Sequence, residues 1–561
     1  MAEWTRTAGA DESVVLTGYQ LSRFSGAEEG KDSRFRIYAA GGVVRDALIQ
    51  RLDGDKAIIT LDKGLPSWGM YLIWPGNDAG WGAPIAVNKT EAWWLQDQAA
   101  PGMTVSVFGR NLAKGNTEGT NNAYVYLKGS GASGWATVTK VNPYKVEFTV
   151  PSSFTAGTYE VWVHNGHGGE YGWSRPLKLT VVASSQHVLS RSWGAVYNVK
   201  DYGAQGNGVS DDRAAINRAL AAAGTSGATV YFPSGTYMVS GKLDLSSNTR
   251  WLGDKDPGGK PASTIKLMPG FASGTFGLMG GNNLRMNVFE NLRLLRDGKD
   301  LQGRELVDMR GAQMLWWNNC EIDARGDNAV RLQGSGSSYI YLDKTTFIGG
   351  EDQWGNVIYI DGLRQFFANN CTFLMTRDCG AAMMNRGIIE SSVTGCIIQD
   401  LDNSTTDGSG WGKGRIWSSI GAAGAQYHQY FASNQGKGLG TRRSGPNLPD
   451  NNSGEIFLWE ANSTMFSGYP TSAGSNTVNF ANTVPNRDWT GVPRIMGLTI
   501  IEGKGMGQFR LITAQSGGAL TVDQPWEVVP DGSSKILIGP YVERIVLYKN
   551  SLDANGKPYI A

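Results

Sequence analysis

Four short segments share one register: Asn318–Ile322 (NNCEI), Asp343–Phe347 (DKTTF), Asn369–Phe373 (NNCTF) and Thr394–Ile398 (TGCII). Their central residues, Cys320, Thr345, Cys371 and Cys396, step by 25, 26 and 25 residues. A fixed period of this length is the mark of a solenoid, whose repeats bury their apolar faces only against one another. One coil of three short strands and three turns needs about that many residues. The central positions then stack as an interior ladder of small groups. Three of the four Cys lie in it, and the fourth is Cys379. No Cys-x-x-Cys pair exists, so free buried thiols acting as small apolar groups are expected, rather than a disulfide or metal framework.

A second register runs beside the first. VDMRG (Val307–Gly311), VRLQG (Val330–Gly334), IYIDG (Ile358–Gly362) and MMNRG (Met383–Gly387) align on their final Gly. Strand alternation sends Val307, Val330, Ile358 and Met383 inward. Asp308, Arg331, Tyr359 and Met384 then form one outer row, and Arg310, Gln333, Asp361 and Arg386 the next. Such a face is either a solvated set of ion pairs or a groove for a long substrate.

Upstream, Asn198–Leu220 reads NVKDYGAQGNGVSDDRAAINRAL, and ATVYFPSGTYMV follows at Ala228–Val239. Asp211 and Asp212 precede Ala214, Ala215, Ile216 and Leu220, the spacing of one helix face. A carboxylate there suits the free N–H groups of a first helical turn. Such a helix can plug the first coil of a parallel solenoid, which otherwise exposes unpaired edges. The Asp-Tyr-Gly-Ala start, Gly-rich turn, Asp-Asp and Phe-Pro-x-Gly-x-Tyr resemble the opening of the pectate-lyase-like superfamily. The resemblance implies a right-handed parallel β-helix acting on polysaccharides. The Asn-x-Asp, Asp-Asp and Gly-His-Gly set of polygalacturonases does not occur in order, and the pectate-lyase Arg-x-Pro-x-x-Arg is absent. No catalytic set is therefore carried over.

The expected architecture is mainly β: two small β-sandwich-like domains followed by a right-handed parallel β-helix. Residues 1–95 form the first domain. Residues 96–183 resemble an immunoglobulin-like domain of the IPT/TIG type, through Pro101–Leu112, Lys145–Pro151 and Ala156–Asn165. Ser184–Ser192 reads as a polar linker. The β-helix occupies 193–561, with an inserted hairpin unit at 497–539. The last residues, VERIVLYKNSLDANGKPYIA, show turn signals but no closing hairpin. A missing C-terminal segment or a second polypeptide is expected to complete the last coil.

The long Gly/Asn-rich stretch from 403 to 454 breaks the repeat, as functional loops do. It gathers Trp411, Tyr427, His428 and Arg442, and Glu455 and Glu460 follow it. Glycoside hydrolysis needs two carboxyl groups flanking the scissile bond. Uronan elimination needs a base and a cation to neutralise the uronate. The expected catalytic residues are Glu455, Glu460, Asp361 and His428. Arg331, Tyr359, Arg386, Trp411, Tyr427 and Arg442 are expected to bind substrate. Among the 19 Trp, most are expected in cores, with Trp316, Trp317 and Trp411 as exceptions.

A net charge of +1 gives no bulk field for a polyanion, so nucleic acid is not an expected partner. Recognition of an acidic polysaccharide falls to local Arg or Lys. No segment approaches the ~20 apolar residues of a membrane span. Met1-Ala-Glu-Trp lacks a leader's apolar stretch, and the resemblance implies a secreted or extracellular protein given without it. No cofactor is expected; the resemblance leaves calcium open, with no motif to indicate it. The expected function is cleavage of glycosidic bonds in a polysaccharide, with hydrolysis ahead of elimination by a lyase. A glycan-binding, adhesive or tailspike-like protein without catalysis is the alternative.

Overall fold

The computed structural model describes residues 3–18, 21, 33–54, 56–77, 80–269, 277–296, 305–324, 328–333, 337–350, 356–376, 379, 381–401, 415–419, 426–439, 457–459, 466–485, 496–539, 542–554 and 557–560. Side chains at 337, 384, 386, 418, 419, 426, 458, 459 and 553–560 lie outside that description. Two compact units divide the chain: 1–183 with 462–541, and 184–461 with 542–561.

The second unit is a mainly β, right-handed parallel β-helix of three sheets. Among the described residues, sheet 1 has ten strands, sheet 2 eleven and sheet 3 eight, and successive coils pair in parallel within each. A coil runs from sheet 3 to sheet 1 to sheet 2, as in Val307–Arg310, Gln313–Asn318 and Glu321–Asp323. The register on sheet 3 follows the alternation. Val307, Val330, Ile358 and Met383 pair in one buried inner column. Asp308, Arg331, Tyr359 and Met384 pair in the next, and Arg310, Gln333, Asp361 and Arg386 in another.

Between sheets 1 and 2, from Asn319 onward, each described corner is one left-handed residue followed by one small inward group. Asn319, Lys344, Asn370, Gly395, Ser433 and Lys549 have φ between +49° and +64°. Behind them stack Cys320, Thr345, Cys371 and Cys396, all buried, the cysteines free. Burial pushes the Cys320 thiol up to about 12 and raises Cys371 as well. Two asparagines, Asn434 and Asn550, continue the ladder. Asn434 Oδ1 accepts from Cys396 N (2.9 Å), and its Nδ2 donates to Asn550 Oδ1 (2.9 Å).

The helix Arg213–Ala223 buries Ala215, Ile216, Ala219, Leu220 and Ala223 in the β-helix core beside Val199 and Val230. The capping differs in detail from expectation. Asp211 accepts from Arg213 N (3.1 Å) and Ser240 Oγ (2.5 Å). Asp212 turns away from the helix and ties down the Gly-rich turn through Gln205 N (2.6 Å) and Gly206 N (3.0 Å). Ser184–Ser192 is no solvated linker either: His187 and Val188 are buried, and the His187 ring lies 5.8 Å from that of Tyr341 on sheet 1.

At the other end, Val542–Tyr548 rejoins sheet 1 against Gln426–Ala432, and Ser551–Ala554 joins sheet 2 against Gln435–Leu439. Lys557–Ile560 then folds back antiparallel on Ser551–Ala554. This corrects the expectation that no closing hairpin follows. Asn-Gly between these two short strands is a hairpin signal.

In the first unit, residues 91–181 form a sandwich of a four-stranded and a five-stranded sheet around Val107, Val125, Leu127, Phe148, Val161 and Leu179. A smaller core upstream holds Val14, Phe35, Ile37, Ile59, Tyr71 and Ile73. The insertion, expected at 497–539, has its first described strand already at Phe466, and forms a seven-stranded antiparallel sheet with its own core of Leu498, Ile500, Leu520, Trp526 and Ile538. Gly507, at φ +91°, brings it against Glu3 and Thr17.

Candidate active site

Two polar clusters stand out on the β-helix. The first lies on sheet 3, where the outer rows carry charge. Arg310 donates from Nε (3.1 Å) and Nη2 (2.9 Å) to Asp308 Oδ2. This forked pair fixes a nearly buried carboxylate, and Asp308 in turn raises the Arg310 pKa. Glu305, just ahead of the strand, sits with Oε1 3.8 Å from Arg331 Nη1 on the next coil. Burial pushes the Glu305 carboxyl above its ordinary value. Its own backbone N–H and Arg331 pull the other way, while Asp308 adds repulsion. The Arg331 guanidinium stands 5.3 Å from the centre of the Tyr359 ring. Among the described residues the buried Arg331 Nε has no hydrogen-bond partner.

The second cluster is a column at the leading edge of sheet 1. Seven strands there carry, at their second or third position, a left-handed residue that interrupts alternation: Met286, Met314, Tyr339, Gln365, Glu390, His428 and Arg544, with φ from +52° to +65°. Non-glycine residues held there carry strain that surrounding structure must offset. From Gln365 onward the column is a linked polar chain. Glu390 Oε2 accepts from Gln365 Nε2 (2.6 Å) and Arg364 Nε (2.8 Å). Glu390 Oε1 lies 3.8 Å from His428 Nδ1, and Arg544 Nη1 lies 3.0 Å from His428 Nε2. A guanidinium can only donate, so Nε2 accepts and the neutral imidazole holds its proton on Nδ1, toward Glu390. Burial lowers the His428 pKa; Glu390 opposes that and Arg544 reinforces it. Burial pushes Glu390 up, but His428, Arg364 and Gln365 outweigh it and hold the carboxyl below the usual range. The Tyr427 ring meets His428 edge-on at 4.8 Å, and burial raises its hydroxyl.

The expected site residues divide between these places. Arg331, Tyr359 and Asp361 lie in the outer rows of sheet 3, with the Arg386 backbone in register beside Asp361. Tyr427 and His428 belong to the sheet 1 column. Glu455, Glu460, Trp411 and Arg442 fall outside the described residues. Trp317 is core, fully buried and stacked on Phe289 at 4.1 Å, whereas Trp316 donates from Nε1 to Asp343 Oδ2 (2.7 Å). Sequence reasoning missed Glu305, Arg364, Gln365, Glu390 and Arg544. The 25-residue register extended to the start of each sheet 1 strand stacks Gln365 on Glu390. Glu305 carries no such signal. Among the described residues, no group of three or more His, Cys, Asp or Glu could hold a metal ion.

Residues 196–408 match the family model "Rhamnogalacturonase A/epimerase, pectate lyase-like". The β-helix is of the pectate-lyase-like kind. A mannuronan C5-epimerase of Azotobacter vinelandii, AlgE1, is 42% identical over 91 residues, covering 15% of this chain and 6% of that protein. A Penicillium expansum protein named non-secreted LysM effector LysM15 is 48% identical over 236 residues, covering 36% and 16%. The chain thus spans well under a fifth of these relatives' lengths. The family 28 exopolygalacturonase of Yersinia enterocolitica aligns at 12% identity over 66% of this chain and 84% of its own, with a TM-score of 0.25.

Proposed function

We propose that this chain is a carbohydrate-active enzyme that cleaves glycosidic bonds of a carboxylate-bearing polysaccharide by hydrolysis on sheet 3. The observation that carries this reading is the division of labour between Glu305 and Asp308. Burial favours the protonated form of Glu305, while the neighbouring Asp308 carboxylate is gripped by the forked Arg310 contact at 2.9 and 3.1 Å. Glu305, its proton favoured by burial, protonates the departing glycosidic oxygen. Asp308, held by Arg310, supports the positive charge that develops on the sugar and takes the role of base or nucleophile. Tyr359 offers a ring face to a pyranose, and Arg331 a cation to a uronate carboxylate. The family-model match and the epimerase likeness support a polysaccharide as substrate class. Secretion is part of the proposal, since such a polymer is met outside the cell.

A second reading rests on the column at sheet 1. A neutral imidazole backed by Glu390, a protonated tyrosine and two arginines could remove a proton beside a uronate carboxylate and eliminate the 4-linked sugar. In the resting arrangement Arg544 occupies the imidazole lone pair, which places this reading second.

Digestion of plant, algal and microbial polysaccharides, with mass analysis of the products, separates the two. Hydrolysis adds one water per cut and leaves no conjugated double bond. Products lacking that water and absorbing in the ultraviolet overturn the hydrolytic reading in favour of the second. A complete lack of cleavage overturns both.

A further inference from the structure

The upstream sandwich presents an aromatic surface that its own core does not need. Strands Tyr124–Gly129, Ser133–Trp135 and Gly157–His164 lie side by side in the five-stranded sheet. Their inward residues Val125, Leu127, Val161 and Val163 are fully buried. The opposite face should be polar if it only meets water. Instead, Trp135, Tyr126 and Trp162 pair in one cross-strand row. Trp173 closes on Trp135 at 5.9 Å with planes 32° apart, while Tyr124 and Tyr126 meet Trp135 edge-on at 6.5 and 5.2 Å. Trp135 is 62% exposed and Tyr171, just before Trp173, 69%.

The neighbouring row is polar: Ser133, Lys128, Glu160 and Lys178 sit in register across four strands. Glu160 also accepts from Trp162 Nε1 (3.2 Å), which fixes that indole. Aromatic rings beside a row of hydrogen-bonding groups match a sugar chain, with its apolar C–H faces and hydroxyl edges. Lys114, whose stem runs beside Tyr124 at Gly166, joins Lys128 and Lys178 around the surface, and they outnumber Glu160 and Glu170. We propose that this face is a polysaccharide-binding platform for a glycan bearing carboxylates, separate from the bond-cleaving site and centred on Trp135 and Trp173. The choice of glycan over protein as occupant rests on the polar row and on the polysaccharide substrate proposed for the β-helix.

The test is affinity electrophoresis of the full chain through gels containing polygalacturonate, alginate or a neutral β-glucan. The acidic polymers should retard it. Trp135→Ala should weaken retardation about tenfold, the worth of one good aromatic contact, and Trp135→Ala with Trp173→Ala should abolish it. Trp135→Phe, which keeps a ring, should restore most of it. Cleavage of short oligosaccharides should be unchanged in all three variants. Unchanged retardation of a folded double variant, or no retardation in any gel, overturns the platform. Stronger retardation by the neutral glucan overturns the acidic assignment. A drop in sedimentation mass on losing Trp135 assigns the face to self-association and overturns the proposal. A chain that binds but does not cleave leaves the platform standing and removes the function proposed for sheet 3.

Discussion

Glu305 and Glu390 are both largely buried glutamates in one solenoid, yet they answer burial in opposite directions. Glu305 keeps its proton more readily than an ordinary glutamate, because its nearest cation is 3.8 Å away and Arg310 is committed to Asp308. Glu390 gives its proton up more readily, because His428, Arg364 and Gln365 together outweigh burial, the last two in contact at 2.8 and 2.6 Å. Desolvation is common to both; short, directed donors decide the sign. The same residue type thereby holds its proton more readily on sheet 3 and gives it up more readily on sheet 1.

The most damaging test of this contrast is Glu305→Gln. It should lower kcat by roughly 10²- to 10⁴-fold, the usual worth of a general acid, with the fold intact by circular dichroism. A raised folded-state pKa contributes stability below the unfolded value and loses it as pH rises through the folded one. Glu305→Gln should therefore leave Tm unchanged or higher at neutral pH and above.

Glu390→Gln should do the reverse. It strands Arg364 and His428 beside a neutral amide, at a cost of up to about 3 kcal/mol. Glu390 has a depressed pKa, so its contribution is present above the ordinary glutamate value and is lost as pH falls through the folded one. The Tm difference between Glu390→Gln and wild type should thus be large at neutral pH and shrink in acid. Equal Tm loss for both glutamine variants would erase the distinction between the clusters.

A smaller effect is expected at Tyr359. Tyr359→Ala should raise KM several-fold with little change in kcat, since ring stacking is worth about 1 kcal/mol. A loss confined to kcat would move Tyr359 from substrate binding into the reacting centre.

Much of the β-helix was legible because its constraints are local and repeated. The inner columns of sheet 3 follow from alternation, and the cysteine ladder from one small residue per coil. The corner residues ahead of that ladder, among them Asn319, Asn370 and Gly395, are types that tolerate positive φ cheaply. Beyond Tyr427 and His428, the sheet 1 column was not legible, for the same physical reason inverted. Glu390 and His428 sit where alternation is interrupted, and Arg544 reaches His428 from 116 residues downstream, beyond the insertion. The insertion's early strands, such as Phe466–Gly468 and Ser472–Gly474, are too short to show a period. Glu305 was invisible because its acidity is set first by burial, and then by Arg331 and Asp308 in space. Of the residues expected in the site, Asp361, Arg331 and Tyr359 share one face of sheet 3 because the register places them there.

The alkaline limb of the pH dependence of kcat/KM tests the central claim most directly, measured in Arg331→Gln and Arg364→Gln beside the wild type. Removing Arg331 takes away a cation that favours ionised Glu305, so the limb should move to higher pH in Arg331→Gln and stay in place in Arg364→Gln. A limb that moves in Arg364→Gln and not in Arg331→Gln would place the working acid–base group at the sheet 1 column and contradict the assignment of Glu305.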